Sequence, residues 1–191
     1  DKVFLKIRLL TCASTTMAPY VVELDPDMKT TLKVYLFQNV QNVELIRNNI
    51  VQGVWSCAAI KPQLIVDPFQ VAVAANRAVL AHRHNVMVTK TVFSEILYNL
   101  SLSKNISQSL SKFGIEKDTN LLICFLVTDK SDASKEVLPQ IEGELLPIGD
   151  LKEFTCKKTI NSVYKLNNIW TDQDITDVIV SRMVTKNFVT H

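Results

Sequence analysis

The sequence predicts an α+β fold, a single domain in which helices pack around a small mixed or antiparallel sheet, and three observations predict it. Thr31-Leu32-Lys33-Val34-Tyr35-Leu36-Phe37 alternates in polarity and is rich in β-formers, as a strand with one buried face does. Leu121-Leu122-Ile123-Cys124-Phe125-Leu126-Val127 is an apolar run too short and too uniform for a surface helix, so it reads as an interior strand covered on both faces. Several other stretches carry apolar residues at helical spacing, which gives the sheet its covering layer. A length of 191 residues, with 47% hydrophobic and 21% charged, suits one folded domain with a substantial core.

Taken in order, the chain begins with residues 1–16, which precede the first methionine, Met17, and carry Lys2, Lys6 and Arg8. They are expected to form an extension outside the fold, leaving 17–191 as the domain. After the strand at 31–37, Asn39 is the expected cap of a helix marked by Val43, Ile46 and Ile50, which Gly53 ends. Ala58 to Val66 reads as a second strand. Asp67-Pro68 then starts a helix running from Phe69 to about Asn85: the carboxylate accepts from unpaired backbone N–H groups, and proline suits the first helical position. Ala72, Ala74, Ala75, Ala78 and Ala81 leave little bulk on this helix, so neighbours can approach closely and it is expected to be central.

Phe93, Ile96, Leu97 and Leu100 form the apolar stripe of the next helix. A polar loop, Ser101 to Ser107, joins it to a helix with Ile106, Leu110 and Phe113, for which Asn105 is the expected cap with Gln108 three residues on. Gly114 is the expected exit, in the left-handed conformation, with Ile115 closing a hydrophobic contact. Residues 128–150 read as a variable acidic excursion. Ile160, Val163 and Leu166 suggest a further helix, followed by a loop through Asn167-Asn168. Thr171, with Asp172 and Asp174 in the first turn, opens a last helix striped with Ile175, Val178, Ile179 and Met183.

Composition excludes several chemistries. The four glycines, Gly53, Gly114, Gly143 and Gly149, are not clustered, so neither a P-loop nor a dinucleotide fingerprint is present. His82 and His84 lie two apart on a helix and point to different faces, which cannot share a metal. No G-x-S-x-G elbow occurs. Cys12, Cys57, Cys124 and Cys156 are widely spaced without a C-x-x-C, the usage of a reducing compartment, although four cysteines leave disulfides open, and Cys124 reads as a small core hydrophobe. No apolar run approaches the roughly 20 residues of a membrane-spanning helix, so no membrane partner is expected. No catalytic residue, metal or cofactor is expected; the alternative is a small enzyme whose nucleophile site is assembled in space. Net charge is only +2, but residues 66–117 hold six Lys/Arg against three acids (+3), while 118–151 hold two against seven (−5). A phosphate-bearing partner would prefer the first region; the ordinary alternative, which charge alone favours, is solvated helix faces.

The residues from 65 to 115 carry a family resemblance. Ile65-Val66-Asp67-Pro68-Phe69-Gln70, Ala74-Ala75-Asn76 with Ala78-Val79, Glu95-Ile96, Asn99-Leu100-Ser101, Asn105-Ile106-Ser107 and Lys112-Phe113-Gly114-Ile115 resemble the TPRKB family, the kinase-binding subunit of the KEOPS (EKC) tRNA-modification complex. Val163-Tyr164-Lys165-Leu166 and the last helix, with Asp177, Ile179, Arg182 and Met183, extend it over roughly Met17 to Lys186. The resemblance implies a non-enzymatic cytoplasmic and nuclear subunit. It would bind the atypical kinase/ATPase of the complex, and through it the threonylcarbamoyl transferase subunit. It would also help dock tRNA by its 3′ C-C-A end for threonylcarbamoyladenosine formation. Ser103-Lys104-Asn105 stands where archaeal members carry a Gly-Arg-Gln type of sequence.

Two sets of residues follow as candidates. Single-stranded RNA ends are held by phosphate contacts to Lys/Arg and helix N-termini, which points to Ser103, Lys104, Asn105 and Ser107, with Lys90 and Arg77 nearby. The ordinary alternative is that Asn105 merely caps and Ser107 merely faces water. For the kinase, Ile175, Val178, Ile179 and Arg182 offer an apolar stripe edged by a guanidinium. Its alternative is core packing of the same stripe, and exposure in the free subunit decides between them.

Overall fold

The computed structural model describes residues 18–166 and 175–188. The extension expected at 1–16, the loop at Asn167-Asn168 and the helix start at Thr171, Asp172 and Asp174 lie outside the described residues.

Among the described residues, five antiparallel strands form one sheet: β1 (Tyr20–Glu23), β2 (Thr31–Gln38), β3 (Ala58–Ile60), β4 (Leu121–Val127) and β5 (Glu144–Leu146). The order is β1-β2-β4-β3. β4 pairs with β2 from Thr31↔Val127 to Phe37↔Leu121, and β1 and β5 share the opposite edge of β2 in succession. The helices are α1 (Val43–Val51), α2 (Pro68–Arg83), α3 (Val92–Leu100), α4 (Ile106–Phe113), α5 (Ser134–Val137), α6 (Leu151–Phe154), α7 (Lys157–Tyr164) and α8 (Ile175–Thr185).

Side-chain alternation divides the core between the two faces of the sheet. Leu32, Val34, Leu36, Ile60, Leu122 and Cys124 pack with α2, α3, α7 and α8. Tyr35, Phe37, Leu121, Ile123 and Phe125 pack with Val43 and Ile46 of α1, Trp55, and Val137 and Ile141. The interior strand at 121–127 and the core role of Cys124 are therefore as expected. The single buried face expected for 31–37 is not: Tyr35 and Phe37 are buried on the second face, because residues of the acidic segment cover it. That segment, read as an acidic excursion, is structured. It supplies β5, α5 and two core residues, and Lys33 holds Asp132 at 2.8 Å, which keeps this carboxyl below its usual range.

Three local expectations are also corrected. Asn39 adopts a left-handed φ of 53° rather than capping α1; the helix starts three residues later, after Asn42. Asn42 spends its amide on the acidic segment, donating to the Gln140 carbonyl and accepting from the Glu142 amide. The strand expected over 58–66 stops at Ile60 and gives way to a 3-10 turn at Pro62–Leu64, since Pro62 has no N–H for the ladder. Gly114 is extended (φ −71°, ψ 152°), not left-handed. Glycine is needed there for another reason, because a Cβ would stand 2.7 Å from the Leu110 carbonyl oxygen.

Helix α2 is central, as its alanines predict, with Asp67 accepting from the Phe69 N–H at 2.8 Å. Gln70, fully buried on α2, ties three elements together. Its Oε1 accepts from the Val66 N–H, and its Nε2 donates to the Leu64 carbonyl and the Tyr164 hydroxyl. Tyr164 in turn donates to the Leu100 carbonyl. Gln70→Leu keeps the volume and strands the Val66 amide and Leu64 carbonyl, so an unfolding free-energy loss of about 2–4 kcal/mol is expected. Urea unfolding measures it; a loss below about 0.5 kcal/mol would show that this network is not a stabilising tie.

Candidate functional site

A cleft of about 950 Å³ opens between the end of α1, the loop joining α2 to α3, and the starts of α3 and α4. Its walls are apolar, from Ile50, Trp55, Phe93, Leu97, Leu110 and Ile115. On the rim Val51 and Val88 are strongly exposed, at 76% and 50%. Arg47 and Lys90 also line the cleft and are exposed, with Glu116 the acid that lines it. Neither cation has an ion-pair partner among the described residues. Lys90 is a site residue predicted from the sequence; Arg47 and Val51 were not, because they come from α1, distant in sequence, and Val88, in the same loop as Lys90, carries no periodic signal.

The loop carrying Lys90 is shaped by one buried carboxylate. Glu95, 3% exposed, accepts at Oε2 from the Val88 N–H (3.1 Å), the Thr89 N–H (2.7 Å) and the Thr89 hydroxyl (2.7 Å). Thr91 then caps α3 reciprocally with Ser94. These bonds fix the backbone on both sides of Lys90 while leaving its side chain in solvent.

Across the cleft, Ile106 opens α4, and the polar loop before it is held by its own groups. Asn105 Oδ1 accepts from the Gln108 N–H at 2.9 Å, so it caps as expected. The Ser103 hydroxyl donates to Gln108 Oε1 and accepts from the Asn105 N–H. Lys104 and Ser107 remain exposed. The structure thus brings Lys90 and Ile106, at the start of α4, to one cleft, whose lining does not include Ser103, Lys104, Asn105 or Ser107.

Arg77 stands elsewhere. It is half-buried between α2 and α8, where Nη1 donates to the Met183 carbonyl at 2.7 Å. Burial lowers its pKa, opposed by the nearby Glu95. On α8, Ile175 and Ile179 are buried at 6% and 0% and Met183 at 0%, so this stripe belongs to the core in the free chain. Val178 is half-buried, and the Arg182 guanidinium closes the end of α7 by donating to the Tyr164 and Lys165 carbonyls. The exposed residues of α8 are Asp177 and Ser181, and three residues past its end Phe188 is 86% exposed, a residue that no periodicity in the sequence marks.

Lys186, one residue past α8, is 1% exposed; its ammonium lies 3.4 Å above the Tyr98 ring and donates to the Tyr98 carbonyl. Burial brings its pKa down to about 8. A lysine whose folded pKa lies below its unfolded value destabilises while charged, and that cost is relieved as pH rises through the folded value. Between pH 7.5 and 9 the wild type is therefore expected to gain stability relative to Lys186→Met. Thermal melts of both at the two values measure this; a constant difference would contradict it.

For a nucleophile site the described residues offer little. The Cys57 and Cys124 thiols are pushed up by burial, Cys124 to about 12. Cys156 is exposed and its pKa is lowered by the Thr159 hydroxyl, yet among the described residues no cysteine or serine is hydrogen-bonded to a histidine. No group of three potential metal ligands occurs among them, and no described helix is long and apolar enough to cross a membrane.

Comparison with known proteins bears on the same region. The family described as kinase binding protein CGI-121 matches residues 37–187. An EKC/KEOPS complex subunit TPRKB from Danio rerio is 32% identical over 164 residues, covering 82% of this chain and 91% of that protein. An EKC/KEOPS complex subunit CGI121 from Candida glabrata is 29% identical over 167 residues, covering 83% and 91%. A subunit of the same description from Kluyveromyces lactis is 28% identical over 121 residues, covering 63% and 76%.

Proposed function

The chain belongs to the CGI-121 family of kinase binding proteins, and from this we propose that it is a non-catalytic subunit of an EKC/KEOPS complex. It holds the atypical kinase/ATPase of the complex on the accessible side of α8, around Val178 and Phe188. It docks the 3′ C-C-A end of tRNA at the cleft beside α4. Lys90 at the rim and Lys104, exposed on the loop before α4, meet the phosphates, and the apolar walls receive bases taken out of the stack. Through the kinase it comes within reach of the threonylcarbamoyl transferase subunit and supports threonylcarbamoyladenosine formation, in the cytoplasm and the nucleus.

The observation that carries this reading is the apolar cleft lined by Arg47 and Lys90, neither with an ion-pair partner among the described residues, and by Ile106 at the start of α4. Purification of the tagged protein from both cell fractions, with mass spectrometry of the eluate and sequencing of retained RNA, tests it. Kinase and transferase subunits with C-C-A-ended tRNA are the expected contents. An eluate without a kinase would overturn the adaptor role, and one without tRNA would overturn the docking role.

A further inference from the structure

One buried cluster joins the two proposed surfaces. On one side Glu95 receives the three donors that shape the loop around Lys90. On the other it lies near Arg77 and Lys186, the two cations that fasten the end of α8. Arg77 donates to the Met183 carbonyl, and Lys186 sits on Tyr98, three residues along α3 from Glu95. Lys186 precedes by two residues the exposed Phe188, whose N–H donates back to the Thr185 carbonyl.

We propose that Glu95 is a positioning residue that couples the two surfaces, so that a protein gripping Phe188 at the end of α8 tightens the hold of the cleft on a single-stranded RNA end. The proposal rests on the reading of α8 as kinase-facing and the cleft as RNA-facing. A partner on Phe188 fixes the turn that carries Lys186 and keeps both cations beside Glu95. Glu95 then stays engaged with the Val88 and Thr89 amides, and Lys90 is held ready at the rim. When the end of α8 lifts, Arg77 loses its carbonyl and Lys186 moves into water. α3 then loses its anchor at Tyr98, Glu95 on the same helix is held less firmly, and its grip on the loop weakens. RNA must then order Lys90 as it binds, which lowers affinity. Coupling of this kind is reciprocal, so RNA must tighten the kinase by the same factor.

The test uses the full chain, the purified kinase subunit and a fluorescein-labelled oligoribonucleotide ending in C-C-A. Saturating kinase is expected to tighten RNA binding about fivefold or more in the wild type. In Lys186→Met the gain shrinks toward the contribution of the kinase's own RNA contacts, which are the same for both proteins. Hydrogen exchange of the Val88 and Thr89 amides supplies a readout that needs no RNA: kinase binding slows it in the wild type and not in Lys186→Met. Glu95→Gln, if it folds, must lose the same protection. Equal gains in wild type and Lys186→Met, or unchanged amide exchange, would overturn the coupling while the proposed function stands. Failure of the wild type to bind either kinase or RNA would overturn both.

Discussion

Phe188→Asp is expected to weaken association with the kinase about 30-fold or more, the effect of losing an interface anchor worth at least about 2 kcal/mol. Phe188 is 86% exposed, so in the free chain its ring contributes little to the core and its removal should leave the melting temperature almost unchanged. In a complex, the same ring is the largest apolar group that this end of the molecule can bury. Ile175 and Ile179 make the contrast. Both are buried beneath α8, so a charge at either position would unfold the helix from α2 and α3 before any partner is involved. Val178 lies between these cases: half-buried, it touches the core, and a charge there mixes the two effects. Isothermal titration with purified kinase, beside a thermal melt of each variant, separates them. Wild-type affinity in Phe188→Asp would remove this side of α8 as the docking face.

The sequence was most legible where one local rule decides the structure. Asp67-Pro68 could hardly do anything but start a helix, Asn105 caps α4, and the apolar run at 121–127 had to lie inside a sheet. Legibility failed where a distant segment decides. Nothing near Tyr35 and Phe37 announces that Val137 and Ile141 will help cover them, so the strand read as one-sided and the acidic segment as an excursion. Glycine was assigned to position 114 for its dihedral freedom, whereas the Leu110 carbonyl excludes a side chain there. The candidate sites divide in the same way. Lys90 and Lys104 are recognisable as exposed cations flanking helix starts. Arg77 has the same charge but meets a carbonyl of α8, and Arg47 reaches the cleft only because α1 packs on the far side of β3 and β4 from α2. Helical periodicity identifies a stripe at Ile175, Ile179 and Met183, yet it cannot say whether the chain itself or a partner covers it.

That division of the cations makes the strongest test of the RNA surface. Lys90→Glu combined with Lys104→Glu is expected to weaken binding of a C-C-A-ended tRNA about 10- to 100-fold at low salt. Each lost phosphate contact should also reduce the salt slope by about 0.7. Both side chains are exposed and neither has an ion-pair partner among the described residues, so their reversal should spare the fold. Arg77→Glu must behave differently if the geometry is right. It removes the bond to the Met183 carbonyl and places a second carboxylate near Glu95, so the melting temperature falls. Filter binding across a salt series, paired with melts, distinguishes a contact residue from a structural one. A double variant that kept both affinity and salt slope would show that tRNA does not use this cleft, however well its charge and its apolar walls suit a single-stranded end.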